Sequence, residues 1–294
     1  MPSEQTESKH NEPVIISTSD ESLLIEPMMV AIQRSAKSNN TITFVGSASG
    51  SDTGQEITLT WGELHHDAQG MAAILQSKGI QAGDHLALLG PTTRNLVTAI
   101  QAVWLVGASV SMIPIPMRFS SVGEFKNQTR ALMKHGDIKM LLLDPDLAAF
   151  HEVQPEDPPV ILLNELEPAA DRPTAGEYKV VPYEPERLAV LQFTSGSTAN
   201  PKGVMLPYRI LEANLAGMIE AAQVVPEDTF VSWLPLYHDM GLIGLLTVPM
   251  VVGCNLILAS PQDFLGKPAD WMRWLHKYKG TVTSGPNFSW VLAS

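Results

Sequence analysis

Apolar residues after Thr60 recur at Leu64, Ala68, Met71, Ala72 and Leu75, a helical spacing that gathers them on one face. Both ends of that helix are signalled. Thr60-Trp61-Gly62-Glu63 is a capping box, its threonine hydroxyl placed to accept from the Glu63 amide while the Glu63 carboxylate reaches back. Gly79 suits the left-handed position that closes a helix. A short apolar run at 85–89 follows, ended by Gly90 and Pro91. The alternation then repeats, with a helix over 96–106 and a strand over 109–115, a helix over 124–134 and a strand over 139–143. A Pro- and acid-rich connection at 153–186 interrupts it and is a candidate junction between two sheet layers or subdomains. Beyond it the spacing predicts a strand at 188–193, a helix at 208–222, extended chain at 229–233 and a helix at 242–251. Extended chain at 255–259, a helix at 269–277 and extended chain at 280–284 complete the series. Apolar strands separated by helices imply mostly parallel sheets covered on both faces, an α/β fold.

Composition narrows the possible partners. The 294 residues are 45% hydrophobic, enough to bury a sizeable core. Nineteen Lys and Arg against 31 Asp and Glu leave a formal charge of -12, the wrong sign for a general nucleic-acid or anionic-membrane binder. Any anionic ligand must be caught locally. A lone cysteine, Cys254, excludes an internal disulfide framework and fits a reducing, cytoplasmic setting; in an apolar strand it reads as an inert small hydrophobe. Residues 1–22 are polar and of mixed charge, lack the basic start and apolar core of a signal peptide, and read as a disordered tail. Two uncharged stretches, 95–117 and 241–258, approach the length of a membrane span. Gly107, Pro114 and Pro116 break the first; Gly244, Pro249, Gly253 and Asn255 break the second. A buried helix followed by a buried strand accounts for both, so no integral membrane association is expected. His65 and His66 are adjacent and point to different sides of their helix, which argues against a shared metal. After Gly285-Pro286-Asn287 an apolar segment at 288–293 has only begun when the sequence stops, so the chain reads as cut short.

The chemistry concentrates after the strand at 188–193. Thr194, Ser195, Gly196, Ser197 and Thr198 form an unbroken run of hydroxyl and glycine residues, with Lys202 and Gly203 just beyond. Glycines let the main chain approach a ligand, amides and hydroxyls can converge on phosphate oxygens, and a lysine adds a mobile charge. In α/β sheets, ligands sit at the carboxyl ends of strands. The run is neither a Walker A loop, since Lys202 precedes Gly203, nor a G-x-G-x-x-G fingerprint. From spacing alone it is either a phosphate grip or a plain polar surface loop. Likewise His238-Asp239 is by residue type either a functional pair or a plain surface one.

Thr194-Ser195-Gly196-Ser197-Thr198 with Pro201-Lys202-Gly203-Val204 resembles the phosphate-binding signature of the adenylate-forming (AMP-binding) enzymes, which include acyl-CoA synthetases, fatty acyl-AMP ligases and peptide-synthetase adenylation domains. Ala199 stands where glycine is commonest in that signature. Downstream, the run from Trp233 through Leu242 is similar to the same superfamily's second core motif, and its His238-Asp239-Met240-Gly241 form resembles the fatty acyl-AMP ligase branch. Gly285-Pro286-Asn287-Phe288 is similar to the segment that lines the acyl pocket there, and Thr60 to Leu64 with Gly83-Asp84 to the amino-terminal pattern.

The resemblance implies that a fatty acid is activated by ATP as an acyl-adenylate, with loss of pyrophosphate, for transfer to a thiol. Thr194, Ser195, Gly196, Ser197, Thr198, Lys202 and Gly203 match the phosphate-loop positions, and Lys202 and His238 the catalytic ones. His238, Met240, Gly241, Leu242, Asn287 and Phe288 match the acyl site, although apolar residues at helical spacing are as readily plain core. Mg2+ is expected to arrive with ATP, because no dedicated metal cage is visible. The implied acceptor is an acyl carrier protein or polyketide synthase, with coenzyme A as the alternative. Residues 23–294 then correspond to a partial amino-terminal domain without the mobile carboxyl-terminal domain. A non-catalytic nucleotide- or acyl-binding remnant is the reading from a different class.

Overall fold

The computed structural model describes residues 26–49, 55–115, 122–150, 152, 154–167, 169–194 and 202–294; the tail expected at 1–22 lies outside them. Two sheets organise the described chain. The first has the order β2 (Ile57–Thr60), β1 (Thr41–Phe44), β10 (Asn255–Leu258), β9 (Thr229–Ser232). The second runs β6 (Val160–Leu162), β5 (Met140–Leu143), β3 (His85–Leu89), β4 (Ser109–Met112), β7 (Leu188–Thr194), β8 (Lys202–Pro207). Pairing is parallel except for β1 with β2 and β7 with β8. This is the mostly parallel α/β architecture that the alternation predicts.

Two helices fill the space between the sheets. α2 (Trp61–Ser77) starts at the expected capping box: the Glu63 amide donates to the Thr60 hydroxyl at 3.1 Å and the Thr60 amide to the Glu63 carboxylate at 2.7 Å. It ends in a Schellman turn, where Gly79 takes a φ of 86° and the amides of Gly79 and Ile80 reach back to the carbonyls of Gln76 and Leu75. α3 (Arg94–Leu105) is buried at every position from Leu96 to Leu105, as its all-round apolar sequence requires. One apolar cluster runs from Ile42, Phe44, Leu256 and Leu258 of the first sheet, through α2 and α3, to Leu86, Leu88 and Val110 of the second. The opposite face of the second sheet packs Ala87, Leu89, Leu141 and Leu143 against Phe125 and Met133 of α4 (Val122–His135). Both faces of the parallel strands are therefore dry.

Two tryptophans buried beside the sheets have their polar atoms satisfied. Trp61 Nε1 donates to the Cys254 carbonyl at 2.8 Å and Trp104 Nε1 to the Ala189 carbonyl at 3.0 Å. Cys254 is fully buried, and burial, reinforced by Asp228 and Glu227, pushes its thiol up to about 12; no thiolate chemistry is open to it near neutral pH.

The structure differs from the sequence expectations at four places. The 153–186 connection itself contains β6 and runs on to β7 within one sheet, held to α2 by paired bonds between Gln76 and Lys179 and to α3 by Tyr178 Oη on the Leu105 carbonyl. Passage between the sheets is made instead by α2 and by α5 (Tyr208–Ala222). Residues 202–207, expected as loop, form edge strand β8, where Pro207 sits at the end and costs no ladder bond. Residues 280–284 form no strand, only an isolated bridge from Val282 to Phe230. The helix expected at 242–251 begins earlier as a π-helix, Met240–Thr247, and continues as α6 (Val248–Val252).

That π-helix begins under severe steric constraint. A Cβ at Gly241 would lie 2.1 Å from the Pro235 carbonyl oxygen and 3.1 Å from that of Leu234. Both obstacles are backbone, so they cannot rotate away. Gly241→Ala is therefore expected to cost about 1–3 kcal/mol, read as a lower urea midpoint at unchanged slope. A buried histidine yields a second expectation. His65 is buried on α2, its Nδ1 3.0 Å from Gln101 Oε1 and its Nε2 accepting from Gln69 at 3.3 Å. Burial chiefly, and nearby His66, lower its pKa, so the folded state resists the proton that the unfolded chain accepts. Stability is thus fully present above the ordinary histidine range and is lost as pH falls through it. The urea midpoint should drop between about pH 7 and pH 5, and drop less in His65→Gln.

Candidate active site

A cavity of about 400 Å³ opens where the carboxyl end of β9 meets α7 (Pro261–Gly266) and α9 (Asn287–Ala293). Trp233, Leu234, Pro235 and Tyr237 form one wall. His238 and Met240 stand at its rim, Pro261 and Leu265 come from α7, and Ser284, Gly285, Pro286 and Phe288 close the far side. The wall at Trp233 is aromatic and rigid. Trp233 stacks on Phe264 at 3.7 Å and 9°, and Trp271 of α8 (Ala269–Tyr278) meets both edge-on at 5.8 Å. Trp271 is locked by its Nε1 donating to Thr283 Oγ1 at 3.0 Å. Gly285 can pass close by only because it has no side chain; a Cβ there would fall 2.6 Å from Ser289 Oγ and 2.9 Å from the Trp271 ring.

His238 brings polarity to this apolar rim. Its side chain is 64% exposed, with Nδ1 2.6 Å from Asp239 Oδ1. Asp239 also caps the π-helix, accepting from the Met240 amide at 2.7 Å. The same amide lies 3.2 Å from His238 Nδ1, so Nδ1 is engaged by both the Asp239 carboxylate and the Met240 amide. Nε2 is the ring atom left open to a ligand. The Asp239 carboxylate holds the imidazole by the logic seen wherever an acid orients a histidine.

The strand that leads into the hydroxyl-rich run ends close to this rim. Gln192 Nε2 of β7 donates to the Tyr237 carbonyl at 3.4 Å, tying the end of β7 to the turn that carries His238. Thr194 is the last residue of β7 and pairs across the hairpin with Lys202, the exposed first residue of β8. Gly203 follows, with room for a Cβ only 3.1 Å from Leu191 and 3.4 Å from Phe193. Ser195, Gly196, Ser197 and Thr198 lie outside the described residues, as does the Thr194 side chain.

Of the six acyl-site positions picked from sequence, the cavity takes His238, Met240 and Phe288. Gly241 and Leu242 are buried behind the rim, and Asn287 starts α9 without lining the cavity. The α7 wall was missed, although its signal is present: Ser260 and Asp263 form a capping box, the Asp263 amide donating to Ser260 Oγ at 3.1 Å, with Pro261 at the first helical position. Among the described residues no cluster of three His, Cys, Asp or Glu side chains could hold a metal, and no helix is long and apolar enough to cross a membrane.

Comparison with known proteins bears on this geometry directly. The family described as AMP-binding enzyme matches residues 32–291. A putative ligase of Mycobacterium tuberculosis is 32% identical over 235 residues, 79% of this chain and 42% of the relative. The long-chain fatty acid–AMP ligase FadD26 of Mycobacterium marinum is 32% identical over 248 residues, 80% of this chain and 41% of its own length. Among solved structures, a fatty acyl-adenylate ligase from L. pneumophila, in complex with acyl adenylate and pyrophosphate, superposes with a TM-score of 0.78 at 28% identity, covering 90% of this chain and 45% of that one. The chain thus spans less than half the length of these relatives. With the family matched over nearly all the described fold, the chain belongs to the AMP-binding enzymes.

Proposed function

We propose that this chain supplies the phosphate grip and the acyl pocket of an enzyme that activates a fatty acid with ATP. The observation that carries the proposal is the apolar cavity of about 400 Å³, whose one imidazole stands beside the end of the strand leading into the Thr194–Lys202 hairpin. An alkyl chain suits walls of Trp233, Leu234, Leu265 and Phe288, and the acid's carboxylate then lies at the His238 rim, where Nε2 orients it. A carboxylate oxygen attacks the α-phosphorus of ATP, the bond to the bridging oxygen breaks, and pyrophosphate leaves with the electron pair. Lys202, with Thr194, Ser195, Gly196, Ser197, Thr198 and Gly203, holds the phosphate oxygens on which charge builds, a role that the resemblance of their sequence to the family's phosphate signature supports. Mg2+ arriving with the nucleotide would add charge neutralisation there. Residues 23–294 are then part of the amino-terminal domain of a longer enzyme, a reading supported by the relatives' greater length.

The acyl group is taken up by a carrier-protein thiol in lipid or polyketide assembly; the resemblance to fatty acid–AMP ligases supports this acceptor. Coenzyme A is the competing acceptor, and a relative named as a putative fatty-acid–CoA ligase is 31% identical. The test is fatty-acid-dependent exchange of pyrophosphate into ATP by the enzyme in its natural full length. Exchange should require a fatty acid, and the preformed adenylate should pass to a phosphopantetheinylated carrier faster than to coenzyme A; the reverse order would make the enzyme a synthetase. ATP binding without any exchange would make it a non-catalytic binder.

Two substitutions test the assignments. Lys202→Ala should remove charge-assisted bonds worth about 1.5–3 kcal/mol, a loss of about ten- to a hundredfold in exchange. Unchanged exchange would disprove the phosphate-loop role. His238→Ala should raise KM for the fatty acid more than KM for ATP, since the ring touches the carboxylate rather than the nucleotide.

A further inference from the structure

Gln192 does not line the cavity, yet it joins the two halves of the site. Its neighbours on β7, Leu191 and Phe193, are buried on one face of the second sheet, where Leu132 of α4 packs against them. Strand alternation sends the half-buried Gln192 side chain to the other face, where Nε2 donates to the Tyr237 carbonyl at 3.4 Å. In the hairpin Gln192 pairs with Val204, two residues before Thr194 meets Lys202.

The bond falls on the peptide group that aims the imidazole. The plane between Tyr237 and His238 is held on one side by its amide, which donates to the Pro235 carbonyl at 3.1 Å, and on the other by its carbonyl, which accepts from Gln192. A trans peptide points these two groups in opposite directions, so two bonds fix its rotation where one leaves it free to rock. That rotation sets the φ of His238, and with it the direction in which the ring leaves the chain. Asp239, beside Nδ1, then steers only the ring's own twist. The Gln192 bond is long, as those of active sites commonly are until substrate draws them in.

Adenylation demands such a link. The carboxylate oxygen and the phosphorus it attacks must come within about 3–3.5 Å of one another, yet the turn that carries His238 follows β9 of the first sheet and the hairpin follows β7 of the second. We infer that Gln192 is the positioning residue that aligns the two: its amide fixes the Tyr237–His238 peptide against β7, so that the acid held at the imidazole faces the phosphates. This rests on the ligase reading given above, and within it Gln192 acts through His238 and not on a substrate.

The test uses the full-length enzyme with dodecanoate and ATP. Gln192→Met keeps the shape of the side chain and removes the donor; Gln192→Glu sets a carboxylate against the carbonyl. Each should lower kcat for pyrophosphate exchange about tenfold or more while KM for dodecanoate and for ATP stays within about twofold. In a His238→Ala background, at saturating dodecanoate, Gln192→Met should change exchange by less than about twofold, because the ring it aims is gone. With histidine rings labelled with nitrogen-15 and the His238 signal assigned by its loss in His238→Ala, Gln192→Met should shift that signal whether or not the protein turns over. Equal losses in both backgrounds, or losses confined to KM, would make Gln192 a packing residue and overturn the inference; an unmoved His238 signal would do the same. A parent that supports no exchange, with its His238 signal still moved by Gln192→Met, leaves the orientation of the ring by Gln192 standing and removes the ligase reading.

Discussion

The carbonyl oxygen of Pro235 lies where the side chain of any residue but glycine would start at position 241. Much of the candidate site depends on that approach. Because the chain can fold so closely onto itself, the Pro235–Asp239 turn lies flat against the start of the π-helix, with the His238 amide bonded to the Pro235 carbonyl at 3.1 Å and the Leu242 amide to the His238 carbonyl at 2.9 Å. The turn presents His238 and Met240 outward while Leu242 goes into the core. A looser turn would separate the imidazole from the cavity it serves.

Two materials of different stiffness enclose that cavity. One wall is Trp233, backed by Phe264 and Trp271, stacked and edge-on, close-packed as protein interiors are and tied by the Trp271–Thr283 bond. The rim is made from a half-exposed methionine and an exposed histidine steered by a single carboxylate. Shape is thus preset at that wall, and adjustment is left to the mouth, where a polar head group is to be positioned. Acidic charge over the whole chain makes this local arrangement necessary, since the global field repels any anion.

How far the sequence could be read depended on whether local rules decide the outcome. The α2 capping box, the Gly79 Schellman turn and the apolar α3 are each signalled by side chains within a few residues, and each stands as the spacing predicts. β8 was missed because its strand character comes from pairing with β7: its residues are largely exposed, and no apolar alternation advertises a partner across the hairpin. The π-helix was invisible for a similar reason, since its wider turn leaves little trace in composition. At the site, His238 and Met240 of one motif and Phe288 of another line the cavity, whereas Gly241 and Leu242 of the first motif are buried. Which residues of a motif point into a cavity is a three-dimensional fact. The α7 wall came from a segment distant in sequence, and only its cap was there to be read.

Strand β1 pairs in parallel with β10, Ile42 opposite Leu256 and Phe44 opposite Leu258, so the first sheet is assembled from segments far apart in sequence. The seam is reinforced by Asn40 Nδ2 on the Gly253 carbonyl at 2.7 Å and by Ser35 Oγ on that of Val251 at 2.9 Å. During synthesis β1 and β2 emerge as a lone hairpin, too small to hold together by itself, while the second sheet can be completed entirely from chain already made. Closure of the long loop between β1 and β10 is the slow event such topology imposes. The cavity, built from β9, α7 and the segment after α8, belongs to the part that waits, so a nascent chain has its scaffold before it has its pocket.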